Sequence, residues 1–375
     1  MASPCDRAPP PDPTDLTRHS HIRWSGRRVI GSCRGTSKLP GAPRRRMTAS
    51  TERLAHEVLL PAVADLDLAV LWPLLERGCR SVLLGETRAE YLARTMSPER
   101  VNHETRELVG EAILALRERA QEELLVAVDH EIVGIRRFAH LLPPNEGLAP
   151  EAVREEAVGA AKCLREMGVN VVLGPIVDVV RGENPWLTGR NLGPDAAVVS
   201  ATGRAAVEGL QAGGVAAVAK HYPGHLLLID DPAVAPAVLR TSLDELDEVA
   251  EEPFLAVVAA GVRGIMLGPS VVEAIDPSEA ASSSAAVVAR VRERLGFRGT
   301  LVSDDLDAVG ILRGRGVGDA AVASLAAGAD LLLGAASAAA ECAAALAVAV
   351  KEGRISADCL AEAADRVGHL APGGS

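Results

Sequence analysis

A repeated alternation of short apolar segments and longer helical patterns constrains the fold of this chain more than any other feature. The apolar segments are rich in Val, Leu and Ala, which is typical of strands buried on both faces of a parallel sheet. The helical patterns supply the crossovers that parallel strands require. About seven or eight such units in about 320 residues predict an α/β protein, a single-domain (β/α)8 TIM-type barrel. An open dinucleotide-binding sheet is disfavoured, because no glycine-rich phosphate motif follows the first strand.

The predicted elements follow one another closely along the chain. Strands are predicted over 81–84, 124–128, 169–180, 215–219, 263–267, 299–302 and 330–333. Helices are predicted over 98–120, 150–167, 195–212, 242–260, 284–295 and 319–327, and two alanine-rich helices follow. Ser242 and Glu245 have the spacing of a capping box, which marks the start of one of these helices.

The first part of the chain lacks this alternation. Residues 1–46 hold ten Lys and Arg against three Asp, are rich in Pro, Arg, Ser and Gly, and contain no apolar segment of a secretory signal. We expect residues 1–46 to be a disordered basic extension and residues 47–375 to form the barrel domain, with Met47 as a plausible start of the protein. A basic nucleic-acid-binding arm is the alternative for the extension.

Composition excludes several classes of function for the whole chain. The net charge of −11 argues against a nucleic-acid partner. No segment is apolar over the length of a transmembrane helix, so we expect no membrane partner. The six cysteines show no paired or metal-like spacing, which predicts reduced thiols in a cytoplasmic protein. These patterns do not specify the oligomeric state.

Polar residues follow several of the apolar segments. The segment 215–219 ends abruptly at Lys220 and His221, and a long loop then lasts to about Thr241. Closing a barrel gathers the carboxyl ends of its strands at one mouth, where such proteins keep their chemistry. The polar residues that we expect to ring this mouth are Asp129, Asp178, Lys220, His221 and Asp304.

Four motifs make the chain resemble a known family. They are 220–225 (KHYPGH), 302–306 (VSDDL), 173–179 (LGPIVDV), and Asn184-Pro185 with Arg190. Together they resemble glycoside hydrolase family 3, in particular its bacterial β-N-acetylglucosaminidases of peptidoglycan recycling. The resemblance covers about residues 54–370 and implies a retaining glycosidase with a carbohydrate substrate, without a cofactor or a metal.

The resemblance assigns roles to individual residues. It makes Asp304 the nucleophile, because an oxocarbenium-like transition state requires an anion beneath the anomeric carbon. Asp305, one residue further, is predicted to point away and to brace the following segment. The residues that the resemblance assigns to sugar binding are Asp129, Arg190, Lys220, His221 and Met266.

The chain departs from the family at three places. Residues 132–133 are β-branched where the family has two glycines, and Pro269 stands near the place of a histidine that follows the family's Met. In the long loop, Asp230 aligns with the aspartate of the catalytic dyad, but Pro232 falls where the acid/base histidine belongs. The segment 226–229 is also apolar where the family has a polar, mobile loop.

These departures leave the proton donor open among His225, Asp230 and Asp231, with bracing of the turn as the alternative role of His225. Three hypotheses follow. The first is a retaining glycosidase of β-linked N-acetylglucosamine-type sugars, either fully competent or weakened by the missing acid. The second is a sugar-binding or regulatory pseudoenzyme on the same barrel. The third is an aldolase-like barrel with Lys220 as a Schiff-base lysine.

Overall fold

The computed structural model describes residues 49–144 and 147–371. The predicted extension over 1–46 lies outside these residues, so its disorder and the domain boundary stay predictions. Within the described ranges, no helix has both the length and the apolar character that crossing a bilayer would require.

Eleven strands are described in the two ranges above. They are β1 Leu59–Val63, β2 Ser81–Leu84, β3 Leu125–Asp129, β4 Val171–Ile176, β5 Ala216–Tyr222, β6 Val238–Leu239, β7 Gly264–Leu267, β8 Val271–Val272, β9 Asp276–Ala280, β10 Thr300–Val302 and β11 Leu332–Ala335. The longer helices surround eight of these strands. All α-helices described are α1 Thr51–Glu57, α2 Trp72–Glu76, α3 Arg88–Ala93, α4 Pro98–His103, α5 Arg106–Arg119, α6 Pro150–Glu166, α7 Ala196–Ala212, α8 Leu243–Glu245, α9 Glu252–Ala259, α10 Ala285–Glu293, α11 Val309–Leu312, α12 Val317–Ala327, α13 Ala339–Lys351 and α14 Ala357–Gly368.

Eight strands form one parallel sheet in the order β10-β7-β5-β4-β3-β2-β1-β11. A parallel bridge between Val302 and Leu331 joins the two ends of this sheet. The Ser303 N–H donates to the Leu331 carbonyl across the same seam, at 2.9 Å. The predicted single-domain (β/α)8 barrel is therefore confirmed.

Strand β5 shows how the apolar pattern builds two cores. Ala216 and Val218 belong to the cluster inside the barrel, whereas Ala217 and Ala219 belong to the layer between strands and helices. Side chains of a strand alternate between its two faces, so a strand covered on both sides must be apolar throughout. Leu370 belongs to the inner cluster and thus links the end of the chain to the barrel interior.

The sequence prediction misses or alters three parts of the fold. Strand β1 was not predicted, because Pro61 interrupts its apolar run. The helix predicted over 98–120 is two helices, since Thr105 caps the start of α5 by accepting from the Leu108 N–H at 3.2 Å. The long loop after β5 contains β6, which pairs with β8 in a small separate sheet whose third strand is β9.

Candidate active site

A cavity of about 340 Å³ occupies the mouth of the barrel, at the carboxyl ends of the strands. The strand ends bring together residues that lie far apart in the sequence. The sequence-predicted site residues that line this cavity are Asp129, Arg190, Lys220, His221, Met266 and Asp304. The other predicted residues, Asp178, His225, Asp230 and Asp231, are not among the residues that line it. The cavity is therefore the candidate active site.

Buried ion pairs fix the predicted sugar-binding side chains at one side of the cavity. The Lys220 Nζ atom lies 2.5 Å from Asp129 Oδ1 and 3.2 Å from Glu131 Oε1. The Arg190 guanidinium donates to both carboxylate oxygens of Glu131, at 2.6 and 3.1 Å. Burial alone would raise the pKa of Glu131, but Arg190 and Lys220 lower it to about 2. This ionic cluster holds its charges in position before any ligand binds.

The surroundings of Lys220 bear on the Schiff-base hypothesis. Burial alone would lower the pKa of its ammonium group, but Asp129 and Glu131 raise it. A lysine that attacks a carbonyl must be neutral, which is favoured by an apolar pocket or by a neighbouring cation. Lys220 has two carboxylate neighbours instead. The structure therefore favours a charged hydrogen-bond donor over an aldolase-like lysine.

The segment after β3 approaches the ionic cluster despite the β-branched residues 132–133. Gly134, with a φ of +92°, makes the close approach in their place. A Cβ atom at Gly134 would lie 2.6 Å from Glu131 Oε2 and 2.9 Å from the Cγ of Arg190. The Ile135 N–H then donates to Glu131 at 2.9 Å. A glycine at position 134 is therefore what lets this segment pack closely against Glu131 and Arg190.

Asp178 lies behind the cavity wall, which corrects the prediction that it rings the mouth. Its fully buried carboxylate accepts from the backbone N–H groups of His221 and His225, at 2.9 Å each. It also accepts from the Nδ1 atoms of the two rings, at 3.0 and 2.8 Å. Burial alone would raise the pKa of Asp178, but these bonds lower it below its usual range. Asp178 therefore orients His221, which does line the cavity.

His225 occupies a position that does not suit a proton donor. Its ring is fully buried and is held by Asp178 on one side. On the other side the ring packs on Gly268, where a Cβ atom would lie 2.9 Å from Nε2. The Nε2 atom has no hydrogen-bond partner among the described residues. The geometry corresponds to the alternative role, that of bracing the turn.

Asp304 follows β10, and among the described residues only one of its two carboxylate oxygens accepts a hydrogen bond. Its backbone N–H donates to Ser282 Oγ at 3.0 Å, and its Oδ1 accepts from the Asp305 N–H at 2.7 Å. Its Oδ2 atom is buried and has no hydrogen-bond partner in residues 49–144 and 147–371. A carboxylate nucleophile requires such an arrangement, because it must be oriented and still have an electron pair available.

Asp305 lines the same cavity, contrary to the prediction that it points away. Strand β10 ends at Val302, so the alternation of side chains does not extend to the two aspartates. The predicted bracing role is present, since Asp305 Oδ1 accepts from the Asp307 N–H at 3.0 Å. Asp305 is exposed at the cavity, and the surrounding protein, Asp307 and Asp304 together raise the pKa of its carboxyl group.

The loop after β5 is packed down where the family places its acid/base histidine. Pro232 is buried, and its carbonyl accepts from the Gly310 N–H at 2.9 Å. Asp230 is exposed, and Asp231 closes a turn by accepting from the Ala233 N–H at 2.9 Å. Of this loop only Ala233 lines the cavity among the described residues. The loop therefore brings no titratable side chain into the cavity.

Five further polar or aromatic side chains line the cavity although the sequence did not single them out. They are Glu86, Arg88, Tyr91, Trp186 and Asp307. The Tyr91 hydroxyl accepts from Trp186 Nε1 and from Arg190, at 3.0 Å each. Glu86 comes two residues after β2, and this strand-end position is the signal that could have identified it. Tyr91 lies within α3 and carries no such signal.

Comparison with protein families matches residues 87–370 to the glycosyl hydrolase family 3 N terminal domain. A beta-hexosaminidase of Xylella fastidiosa (strain 9a5c) is 35% identical over 248 residues, which span 62% of this chain and 73% of that protein. A beta-hexosaminidase of Stenotrophomonas maltophilia (strain R551-3) is 32% identical over 245 residues, with shares of 62% and 73%. The family match includes all the predicted site residues.

Two solved structures are similar to this chain over the barrel. A glycoside hydrolase family 3 beta-N-acetylglucosaminidase from Paenibacillus sp. str. FPU-7 matches with a TM-score of 0.76 and 26% identity, over 86% of this chain and 62% of that chain. This chain thus spans less than two thirds of the Paenibacillus protein. M tuberculosis LpqI matches with a TM-score of 0.74 and 25% identity, over 87% of this chain and 95% of that chain.

Proposed function

The chain belongs to glycosyl hydrolase family 3, and on that premise we propose that it is a retaining glycosidase that releases β-linked N-acetylglucosamine-type sugars. Membership of the family and of the glycosidases confirms what the motifs predicted. The sugar proposed is supported by the names of the similar proteins, which are beta-hexosaminidases and a beta-N-acetylglucosaminidase.

One observation carries this proposal: the cavity combines the free oxygen of Asp304 with the preorganised ionic cluster around Lys220. Sugar rings present neighbouring hydroxyl groups, which charged donors and carboxylates bind with directed hydrogen bonds. Binding of the hydroxyl groups at Asp129, Lys220 and Arg190 would position the anomeric carbon for attack by Asp304. The contribution of Met266 is an apolar surface on the cavity wall, since it is 2% exposed.

In the proposed mechanism, an electron pair on Asp304 attacks the anomeric carbon. The bond from that carbon to the leaving-group oxygen breaks, and the oxygen keeps the bonding pair. A glycosyl ester with Asp304 results. Water then attacks the same carbon from the opposite face, loses a proton and restores the carboxylate. Two inversions give net retention of configuration.

The proposal includes a weakened acid step. A poor leaving group must receive a proton as its bond breaks, and loss of that help typically costs about 10²–10⁴-fold in rate. The loop that carries the acid in the family brings only Ala233 to the cavity among the described residues. An activated leaving group requires little protonation, so its hydrolysis should persist.

A paired assay tests the proposed function. p-Nitrophenyl β-N-acetylglucosaminide and an unactivated β-linked disaccharide of N-acetylglucosamine are compared, with Asp304→Asn as the inactive control. We expect hydrolysis of the first substrate and a rate lower by orders of magnitude for the second. Turnover of neither substrate, with N-acetylglucosamine still bound, would select the sugar-binding pseudoenzyme. Loss of both turnover and binding would contradict a sugar site.

We also propose a place for the reaction, the turnover of peptidoglycan fragments in the cytoplasm. Peptidoglycan contains β-linked N-acetylglucosamine, the sugar class that the similar proteins indicate. Among the described residues, Cys79, Cys163 and Cys342 are free thiols, as is usual in a reducing compartment. Release of N-acetylglucosamine from muropeptide fragments by the purified protein would test this placement, and failure to release it would oppose it.

A further inference from the structure

Glu86 lies in the candidate active site at a fixed position. The residue follows β2, the strand that neighbours β3 and therefore Asp129. The preceding residue is held from both sides, because the Gly85 N–H donates to Val63 at 2.8 Å and the Gly85 carbonyl accepts from Arg137 Nε at 2.6 Å. The backbone before Glu86 is thus anchored to β1 and to the segment that follows β3 before a ligand enters.

The carboxyl group of Glu86 lacks the partners that its neighbours have. Its Oε2 atom is buried and has no hydrogen-bond partner within residues 49–144 and 147–371. The charged groups that influence the pKa of Glu86 most are Asp129, Lys220, Glu131 and Arg137. Arg88 and Tyr91 from α3 line the same cavity.

The two cations that influence the pKa of Glu86 most, Lys220 and Arg137, are already engaged. Lys220 pairs with Asp129 and Glu131, and Arg137 pairs with Glu104 at 2.6 Å. An ionised Glu86 would therefore add an uncompensated negative charge beside Asp129. Burial, with repulsion from Asp129, raises the pKa of Glu86 to about 8, so the group keeps its proton at neutral pH.

We propose that Glu86 is a substrate-selecting residue whose neutral carboxyl group binds a sugar hydroxyl beside Asp129. A neutral carboxyl group can both donate and accept a hydrogen bond, whereas an ionised Asp129 can only accept one. The two side chains can therefore bind a sugar hydroxyl group in complementary ways. This inference rests on the proposed function, because it takes the cavity to hold a sugar. It extends that function by adding selection for a free hydroxyl group at the end of the ring that Asp129 binds.

The position of Glu86 also argues against a role in donating a proton to the leaving group. Strand β2 lies next to β3 in the barrel, whereas β1 and β11 separate it from β10 and from Asp304. The charged groups that influence Glu86 most are those of the ionic cluster, namely Asp129 and Lys220. Glu86 therefore lies closer in the strand order to Asp129 than to Asp304 and is influenced most by the ionic cluster.

The test measures KM and kcat with p-nitrophenyl β-N-acetylglucosaminide from pH 6 to 9.5 for the wild type, Glu86→Gln and Glu86→Ala. For the wild type we expect KM to rise above about pH 8, as Glu86 ionises. Glu86→Gln, an isosteric neutral donor and acceptor, should keep the low KM of pH 6 and lack the alkaline rise. Glu86→Ala should raise KM about tenfold at pH 6 with a smaller change in kcat. The exposed Glu118→Gln on α5 is the matched control and should match the wild type throughout.

Two results would overturn the inference. One is a wild-type KM in Glu86→Ala at pH 6, and the other is an unchanged alkaline rise in Glu86→Gln. Circular dichroism of each variant identifies a folding defect, in which case Glu86→Gln alone decides. If the wild type turns over no substrate, the proposed function fails, and the dissociation constant of N-acetylglucosamine replaces KM in the same comparison. Deoxy analogues of the sugar then identify the hydroxyl group. Glu86→Gln should bind the complete sugar more tightly than Glu86→Ala does. For the analogue that lacks the hydroxyl group bound by Glu86, the two variants should have the same affinity.

Discussion

The carbonyl of Pro232 accepts a hydrogen bond from the Gly310 N–H at 2.9 Å, and this bond fastens the loop after β5 to the segment that follows Asp304. The contact is also steric, because a Cβ atom at Gly310 would lie 3.1 Å from the Pro232 Cβ. Pro232 itself is buried. The loop is therefore part of the wall of the barrel mouth, and a residue at this position is directed into packing and not toward a substrate.

Restoring the family's histidine should not restore acid catalysis. In Pro232→His, the imidazole would replace a buried proline against Gly310, so we expect the disaccharide to be turned over within about threefold of the wild-type rate. The assay compares the disaccharide with the p-nitrophenyl substrate. Asp230→His, at an exposed position of the same loop, is the control and should also change little. A tenfold or larger gain in disaccharide turnover by Pro232→His would show that the loop swings over the sugar.

The ionic cluster should be important for stability as well as for binding. Glu131→Gln removes the carboxylate that pairs with Arg190 at 2.6 Å and with Lys220 at 3.2 Å, which leaves the buried Arg190 uncompensated and Lys220 with Asp129 alone. We expect the free energy of unfolding to fall by about 3–5 kcal/mol in urea titrations. Glu208→Gln breaks an exposed pair with Arg204 and should cost less than about 0.5 kcal/mol. Equal losses in the two variants would contradict the role of the buried cluster.

Stability should fall as the pH drops below about 6.5, because of Asp178 and His221. Burial lowers the pKa of His221 in the folded state. The stability that the neutral ring contributes is therefore fully present above the unfolded-state pKa near 6.5, and it is lost as the pH falls through the folded-state pKa. The pKa of Asp178 is lowered as well, so its contribution is lost below about pH 4. Thermal unfolding between pH 3 and 8 measures both effects.

A substitution at Asp178 separates this effect from general acid sensitivity. Asp178→Asn removes the charge that accepts four hydrogen bonds, and should cost about 3–5 kcal/mol at pH 7. Asp195→Asn, at the exposed start of α7, retains a good helix cap and should be close to neutral. If Asp178→Asn were as stable as the wild type and lost stability at acid pH in the same way, Asp178 would not have this role.

The sequence was sufficient to predict the barrel and the gathering of strand-end residues. Apolar segments followed by helices admit few other topologies, and the closure of the sheet brings Asp129, Lys220 and Asp304 to one cavity whatever the details of packing. The strand that the pattern missed, β1, contains Pro61, which is rare within a central strand.

The sequence could not predict which polar residues face the cavity and which lie behind it. Asp178 and Asp129 look alike as strand-end residues, and only the packing of His221 and His225 around Asp178 distinguishes them. Glu86 was missed for a related reason. A polar residue after a strand usually meets solvent, and its role depends on a carboxylate from the neighbouring strand.

The most direct test of the account identifies the residue that bonds to the anomeric carbon. A fluorinated N-acetylglucosaminide forms a glycosyl-enzyme that hydrolyses slowly, and mass spectrometry of the digested protein locates the sugar. The free Oδ2 atom of Asp304 predicts a label on Asp304 in the wild type and in Asp305→Asn, and no label in Asp304→Asn. A label on Asp305, or a label that persists in Asp304→Asn, would contradict the account.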